Sequence, residues 1–223
     1  MQTVRFGQYE RRLECEMLRT LVSQLKVSSD LCRYGKGSEI YAEAGPADYI
    51  YQVIAGAVRS HKLLSDGRRQ IGTFHLSSDI FGLENGDHHR FTAEAIVETS
   101  VYVVERQSME RLANSDPAIA RRLLNMTTEN LQHVEDQILL LGRKNAPERV
   151  AAFLLEMHNR LPPSDVMILP MNRRAIADYL GLTLETVSRE LSEFQRKGYL
   201  RFLDVLQRQV VILNATALAE LER

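Results

Sequence analysis

The chain of 223 residues contains no tryptophan and only two cysteines, and its formal net charge is -1. Two thiols, Cys15 and Cys32, cannot make the disulfide framework of a small secreted domain. No stretch approaches the roughly 18 apolar residues that a membrane-spanning helix needs, so no membrane partner is expected. The first ten residues include Arg5 and Glu10 and are too charged for a signal-peptide core. These absences make a cytoplasmic protein the expectation. The near-neutral net charge does not announce a nucleic-acid binder. Its distribution helps little, since residues 142–223 carry +2 and the rest -3. Catalytic signatures are missing too: there is no G-x-S-x-G, no H-E-x-x-H, no P-loop and no G-x-G-x-x-G. Gly35-Lys36-Gly37 lacks the third glycine, since position 40 is Ile. An enzyme is not expected. What is present is an ordinary globular composition, 44% hydrophobic and 26% charged. At roughly 100–200 residues per domain, the length suits one large or two small domains.

Three textures follow one another. Residues 1–20 are polar and say little. From Leu21, glycines recur at 35, 37, 45, 56, 67, 72, 82 and 86. Between them lie short β-rich runs: Tyr49–Ile54, Ala57–Arg59, Arg69–Phe74 and Val101–Val104. Short strands separated by turn residues predict a small antiparallel sandwich or barrel. Ser65-Asp66-Gly67-Arg68 reads as a hairpin turn, because Asp-Gly readily takes positive φ.

From Asp116-Pro117 the pattern becomes helical, with Pro inside the first turn. A seven-residue repeat sets Leu124, Leu131 and Ile138 in one row and Ala120, Thr127, Val134 and Leu141 in the other. The repeat suits two geometries. One is a helix lying on its own domain's core; the other is a two-stranded coiled coil. A strict a/d seam is narrower than the stripe of a core-facing helix, which favours parallel homodimerisation. The expected interface is Leu124, Thr127, Leu131, Val134, Ile138 and Leu141. Gly142 is expected to end this helix. Asn145 then starts another, with Glu148 three residues on as in a capping box. Beyond it the chain reads as a helix to 160, a short strand from Val166 to Leu169, two helices, a hairpin, and a last helix from Asn214.

The informative stretch is Asn172–Lys197. Arg173–Tyr179 is a short helix with Ile176, Ala177 and Leu180 on one face. Gly181 breaks it, and Thr183 can cap a second helix whose inner stripe is Val187, Leu191 and Phe194. A helix-turn-helix needs a small residue where its helices touch, a residue tolerant of φ > 0 in the turn, and an apolar lock. Ala177, Gly181 and Val187 supply them. A hairpin follows, Tyr199–Phe202 and Val210–Leu213, with a polar tip expected near Asp204 and Gln207. Helix-turn-helix plus hairpin is a winged helix; a plain αα-corner would share the spacing.

The second helix, read as 184–197, turns Leu184, Glu185, Ser188, Arg189 and Ser192 outward. Its N-terminal half is the part that enters a major groove. Arg189 can donate two hydrogen bonds to guanine, Glu185 can accept from cytosine, and Leu184 can lie against a thymine methyl. The expected base contacts are Leu184, Glu185, Ser188 and Arg189. The same face could be a solvated one in which Glu185 and Arg189 pair at i, i+4. Asn172, Arg173, Arg174, Thr183, Thr186 and Arg208 are the expected phosphate contacts, which position without specifying.

These residues resemble the CRP/FNR family of bacterial transcription regulators, in its FixK-like and FNR-like branch. The resemblance rests on Asp66–Leu76 with Asp79–Gly82, on Ile138–Arg149, and above all on Ile176–Arg189. It implies an α+β fold: a cyclic-nucleotide-binding-type antiparallel β-roll (21–110), a long dimerisation helix (111–142) and a C-terminal winged helix-turn-helix (143–223). It also implies a homodimeric regulator, most often an activator, on double-stranded DNA. Glu185, Ser188 and Arg189 match the branch that reads a TTGAT-N4-ATCAA palindrome. Leu184 and Ser188 stand where the cyclic-AMP receptor branch has Arg and Gly, which argues against that branch's site. Asp66, Gly67, Arg68 and Arg69 correspond to a loop that touches RNA polymerase in relatives; an ordinary solvated turn explains them equally well. The biological setting implied is low-oxygen or nitrogen-fixation gene control.

Two departures bear on the signal. Phe81-Gly82-Leu83-Glu84 and His88-His89-Arg90-Phe91 lack the Gly-Glu-Leu and Arg-Ser elements of cyclic-AMP binders, so cyclic nucleotide is not expected and no cofactor is assigned. Two cysteines cannot hold a four-thiolate iron–sulfur cluster within one chain. A redox role for Cys15 or Cys32 stays open. Adjacent His88 and His89, with no partner set nearby, are not expected to bind metal. A small-molecule-binding regulatory domain, with DNA secondary, is the competing reading.

Overall fold

The computed structural model describes residues 29–222; Cys15 and the segment 1–20 lie outside them. Eight strands come first: β1 (Ser29–Tyr34), β2 (Glu39–Tyr41), β3 (Tyr49–Ala55), β4 (Val58–Leu63), β5 (Arg69–His75), β6 (Ile80–Phe81), β7 (Thr92–Ala95) and β8 (Thr99–Glu105). They form two four-stranded sheets, ordered β1-β8-β3-β6 and β2-β7-β4-β5. Helices α1 (Arg106–Ser115) and α2 (Pro117–Arg143) follow.

Strand β3 is covered on both faces, and Ile50, Tyr51, Gln52 and Val53 are all buried. Tyr51 and Val53 join Val58, Phe81, Ala93 and Val101 inside the roll. Ile50 and Val104 turn the other way and meet Met109 of α1 and Ile119 of α2. Burial and the neighbouring tyrosines push the Tyr51 hydroxyl up to about 12. The Asp66-Gly67 turn forms as its sequence predicts: Gly67 has φ 81°, and the Arg68 N–H donates to Asp66 Oδ1 at 3.0 Å.

The second half comprises α3 (Ala146–Arg160), β9 (Met167–Ile168), α4 (Arg173–Leu180), α5 (Leu184–Arg196), β10 (Leu200–Phe202), β11 (Gln209–Ile212) and α6 (Ala215–Glu222). The three strands order as β10-β11-β9. Its core is continuous through Phe153, Leu154, Ile176, Tyr179, Leu180, Val187, Leu191, Phe194 and Leu218, all buried. The capping box at the start of α3 is complete: Asn145 accepts from the Glu148 N–H, and Glu148 accepts from the Asn145 N–H.

Gly142 does not end α2, which runs one residue further, to Arg143. The reason is Arg149. Its Nη2 donates to the Leu141 carbonyl and its Nε to the Lys144 carbonyl, at 2.9 and 2.8 Å. The first bond satisfies a carbonyl in the last turn of α2, and the second holds the residue just beyond it.

By its contacts the described chain forms two units. One comprises residues 29–62 and 72–123; the other comprises 63–71 and 124–222. The division falls inside α2, and the β4–β5 turn goes with the second unit.

Candidate nucleic-acid interface

The helix-turn-helix is α4, the turn and α5. Asn172 caps α4 by accepting from the Ala175 N–H at 2.9 Å. Gly181 closes α4 with φ 62° and ψ 37°, and its N–H donates to the Ala177 carbonyl. The Leu182 N–H reaches the same carbonyl at 3.0 Å. Thr183 caps α5, accepting from the Thr186 N–H at 3.1 Å. Ala177, Val187, Leu191 and Phe194 are buried, as the spacing requires.

That packing leaves one face of α5 outward. Glu185, Arg189 and Ser192 are exposed, and Leu184 and Ser188 are half-buried. The four residues expected to read bases therefore lie together at the N-terminal end of the helix. Glu185 is ionised below the usual carboxylate range, because its own backbone N–H and the Thr183 hydroxyl hydrogen-bond it, with Arg174 adding a favourable charge. The i, i+4 pairing of Glu185 with Arg189 is not what forms. Arg189 instead pairs with Glu190, at 3.1 Å. Glu185 is already held from the N-terminal side by Thr183, so its carboxylate points away from the next turn.

The expected phosphate contacts are spread over two elements and the wing. Asn172 and Thr183 are helix caps, and the Thr186 hydroxyl bonds that of Thr183 at 3.0 Å. Arg174 is exposed. Arg173 lies with its guanidinium 5.4 Å from the centre of the Phe202 ring on β10. Its burial makes the charged form less favourable than in water. Arg208 is half-buried at the base of the wing. The wing tip differs from expectation. Asp204 turns inward and accepts from the Arg208 and Gln209 N–H groups at 2.8 and 2.7 Å. Val205 and Leu206 stand out instead, 98% and 75% exposed. The carboxylate is drawn to the backbone donors of the turn, and no core lies within reach of the two apolar side chains.

The apolar residues of the expected dimer seam face solvent in the single chain. Leu124 and Ile138 are each 65% exposed, and Leu131, Val134 and Leu141 are exposed too. Thr127 is exposed among them.

Of the four turn residues, Asp66, Gly67 and Arg68 are exposed. Arg69 is not available in the same way: its Nε and Nη2 both donate to Asp178 Oδ2, at 2.9 and 2.7 Å. In the roll, His88 is exposed and His89 buried. The His89 ring stacks on Tyr41 at 3.5 Å between centroids, and its Nδ1 lies 3.6 Å from Glu84 Oε1. Desolvation holds its pKa below the ordinary value despite Glu84. Cys32, in β1, is half-buried and free. No helix among the described residues is long and apolar enough to cross a membrane.

Sequence reasoning missed the side chain that ties this region together. Arg149 reaches three carbonyls; the third is that of Leu180, at 3.0 Å, at the end of α4. Backbone carbonyls carry no residue signal, so nothing in the sequence marked it.

A β-roll followed by a winged helix-turn-helix, with capped helices and an outward polar recognition face, defines a DNA-binding regulator of the bacterial two-domain type. Residues 31–116 match the family model for the cyclic nucleotide-binding domain. Residues 148–221 match that for the Crp-like helix-turn-helix domain. The chain is 40% identical over 188 residues to the nitrogen fixation regulation protein FixK of Rhizobium meliloti (strain 1021), covering 84% of this chain and 85% of that protein. It is 40% identical over 169 residues to the transcriptional activatory protein AadR of Rhodopseudomonas palustris, covering 74% and 71%. Among solved structures, FixK2 from Bradyrhizobium japonicum superposes with a TM-score of 0.85 at 55% identity, covering 88% of this chain and 98% of that one. The chain belongs to the CRP/FNR family of DNA-binding transcription regulators, and these relatives are FixK proteins and their kin. It is not an enzyme.

Proposed function

We propose that this regulator binds a TTGAT-N4-ATCAA-type palindrome as a homodimer and activates transcription from it. The observation that carries the reading is the α5 face: Glu185, Ser188 and Arg189 side by side at the capped end of a recognition helix, with the Arg189 side chain 68% exposed. Leu184, Glu185, Ser188 and Arg189 read base edges; Asn172, Arg173, Arg174, Thr183, Thr186 and Arg208 hold phosphates. Two protomers pair along Leu124, Thr127, Leu131, Val134, Ile138 and Leu141, and so set their recognition helices in successive major grooves about 34 Å apart. The exposed apolar seam supports this, because a stripe of that kind is otherwise a solubility liability.

RNA polymerase is engaged through the exposed tip of the β4–β5 turn, Asp66, Gly67 and Arg68. No cyclic nucleotide is required. This is supported by the buried His89–Tyr41 stack in the stretch where nucleotide-binding relatives place an Arg-Ser pair. The protein works in the cytoplasm, on genes of nitrogen fixation or low-oxygen respiration, as the names of its FixK relatives suggest. In this reading 21–110 is the sensor or effector domain, 111–142 the dimer helix and 143–223 the DNA-binding domain.

The test is fluorescence anisotropy at one fixed salt with three duplexes: the palindrome, a scrambled sequence and a TGTGA-type site. The expected outcome is strong preference for the palindrome with no ligand added. Equal affinity for all three, with or without reductant and cyclic nucleotide, sinks the assignment.

A further inference from the structure

We propose that Arg69 and Asp178 are a positioning pair that locks the helix-turn-helix elbow, so that Arg69 acts in DNA binding and not as a polymerase contact. The inference rests on the DNA-binding reading of α5. Its basis is the contact between the β4–β5 turn and α4, whose partners stand 109 residues apart in the chain. Two nitrogens of one guanidinium close on a single carboxylate oxygen. The two side chains are only 25% and 17% exposed. Beside them, Gln70 Nε2 donates to the Tyr179 carbonyl at 3.4 Å and to the Ile71 carbonyl at 3.1 Å.

The turn that carries Arg69 is itself braced. The Gly67 N–H donates to the Leu64 carbonyl, and the Leu64 N–H to the Arg68 carbonyl, at 2.9 and 2.8 Å. On the other side, Asp178 sits in the last turn of α4, with Tyr179 and Leu180 buried just after it and Gly181 next. Fixing Asp178 therefore fixes the direction in which the chain leaves α4 and enters the Thr183 cap. Arg149 grips the Leu180 carbonyl of the same elbow. A cleft of about 730 Å³ separates the turn from the recognition helix; Asp66 and Arg68 line it, as do Arg174, Thr183 and Glu185. The pair thus stands at the edge of the residues assigned to DNA. Without Arg69, Asp178 would leave a bare carboxylate there, unfavourable beside phosphates.

The experiment is a charge swap, read by anisotropy with purified protein and no polymerase. Arg69→Asp and Asp178→Arg should each weaken binding to the palindrome by roughly tenfold. The double variant should recover to within about threefold of wild type, because the pair is rebuilt in reverse. Hydrogen exchange supplies a second readout that overall fold does not move: amides of 179–183 should exchange faster in each single variant and recover in the swap. An Arg69→Asp protein with wild-type DNA affinity, impaired only when polymerase is present, overturns the proposal in favour of the polymerase role. Losses that simply add in the double variant overturn it too. If wild type itself fails to prefer the palindrome, the reading of α5 falls, and the pair with it.

Discussion

Replacing Arg189 with alanine separates readout from scaffolding. In the free protein the Arg189 side chain is 68% exposed and its ion partner is Glu190. The Glu190 side chain is only 13% exposed, so the pair holds Arg189 more firmly than a fully exposed pair, worth about 0.2–1 kcal/mol, and a base contact must outweigh it. A bidentate arginine–guanine contact discriminates by about 1–3 kcal/mol. A palindrome engages the residue twice, once per protomer. The dimer should therefore lose about 2–6 kcal/mol, or roughly 30-fold to 20,000-fold in affinity. Stability should barely change, since the side chain packs against no core. Anisotropy titrations at fixed salt should compare wild type and Arg189→Ala on the palindrome and on duplexes substituted at the guanine of each half-site. The expected signature is that the variant no longer distinguishes these duplexes, while its scrambled-DNA affinity stays within a few-fold of wild type. If the variant loses affinity equally on every sequence, Arg189 is a phosphate contact and the base assignment is wrong. An unchanged preference rejects any role for it.

Three further outcomes are expected. Ile138→Glu places like charges across the seam and should give a protomer-sized species by light scattering with weak DNA affinity; a dimer at the same concentration would remove the seam from the interface. Gly181→Ala should destabilise by about 1–2 kcal/mol in urea melts, the cost of left-handed backbone for a residue with Cβ, because the added carbon would lie no closer than 3.7 Å to Arg149 and so meets no clash. Equal stability would mean that the turn relaxes out of its left-handed form. His89 is neutral in the fold below the pH at which the unfolded ring, near 6.5, takes up a proton. The unfolded state then binds more protons, so stability falls as pH drops below about 6.5. In urea melts at pH 7.5 and 5.5, His89→Phe should lose less stability on acidification than wild type; matching losses would count against the buried neutral ring.

What was legible in the sequence is what chain neighbours decide. The Asn145 capping box, the Gly181 turn, the Thr183 cap and the buried stripe of α5 each depend on residues within one or two helical turns. Their signals are spacings, and spacings survive in a linear text. Strands β3, β4, β5 and β8 of the roll were legible for the same reason, as short apolar runs between turn residues, whereas β1, β2, β6 and β7 gave no such run. The failures have a common cause as well. Gly142 looked like a helix end because glycine often is one, yet Arg149 does that work from the next helix. The period also allowed Arg189 to pair with Glu185, but Arg189 meets Glu190 instead. Competition from Thr183 for the Glu185 carboxylate was not a matter of period. The wing tip looked polar by composition, but Asp204 is consumed by its own backbone and leaves Val205 and Leu206 outside.

Arginine carries the sharpest form of this argument. Arg59 is closed on Glu94 at 2.7 Å, Arg160 on Glu156 at 2.5 Å, and Arg149 on three carbonyls. Each holds the fold, and each is largely withdrawn from solvent or anchored to backbone. Arg189 is itself 68% exposed and its partner is a neighbour in sequence, so its donors face the solvent from which DNA arrives. In a list of residues these four are identical. Only the surroundings divide them, since a guanidinium matched to several fixed acceptors gains little from a nucleic acid, whereas an exposed one held by a single carboxylate gains whatever the base edge adds beyond that pair. Arg69 is the case that tests the division, because it has the surroundings of the first group and stands beside the residues of the second.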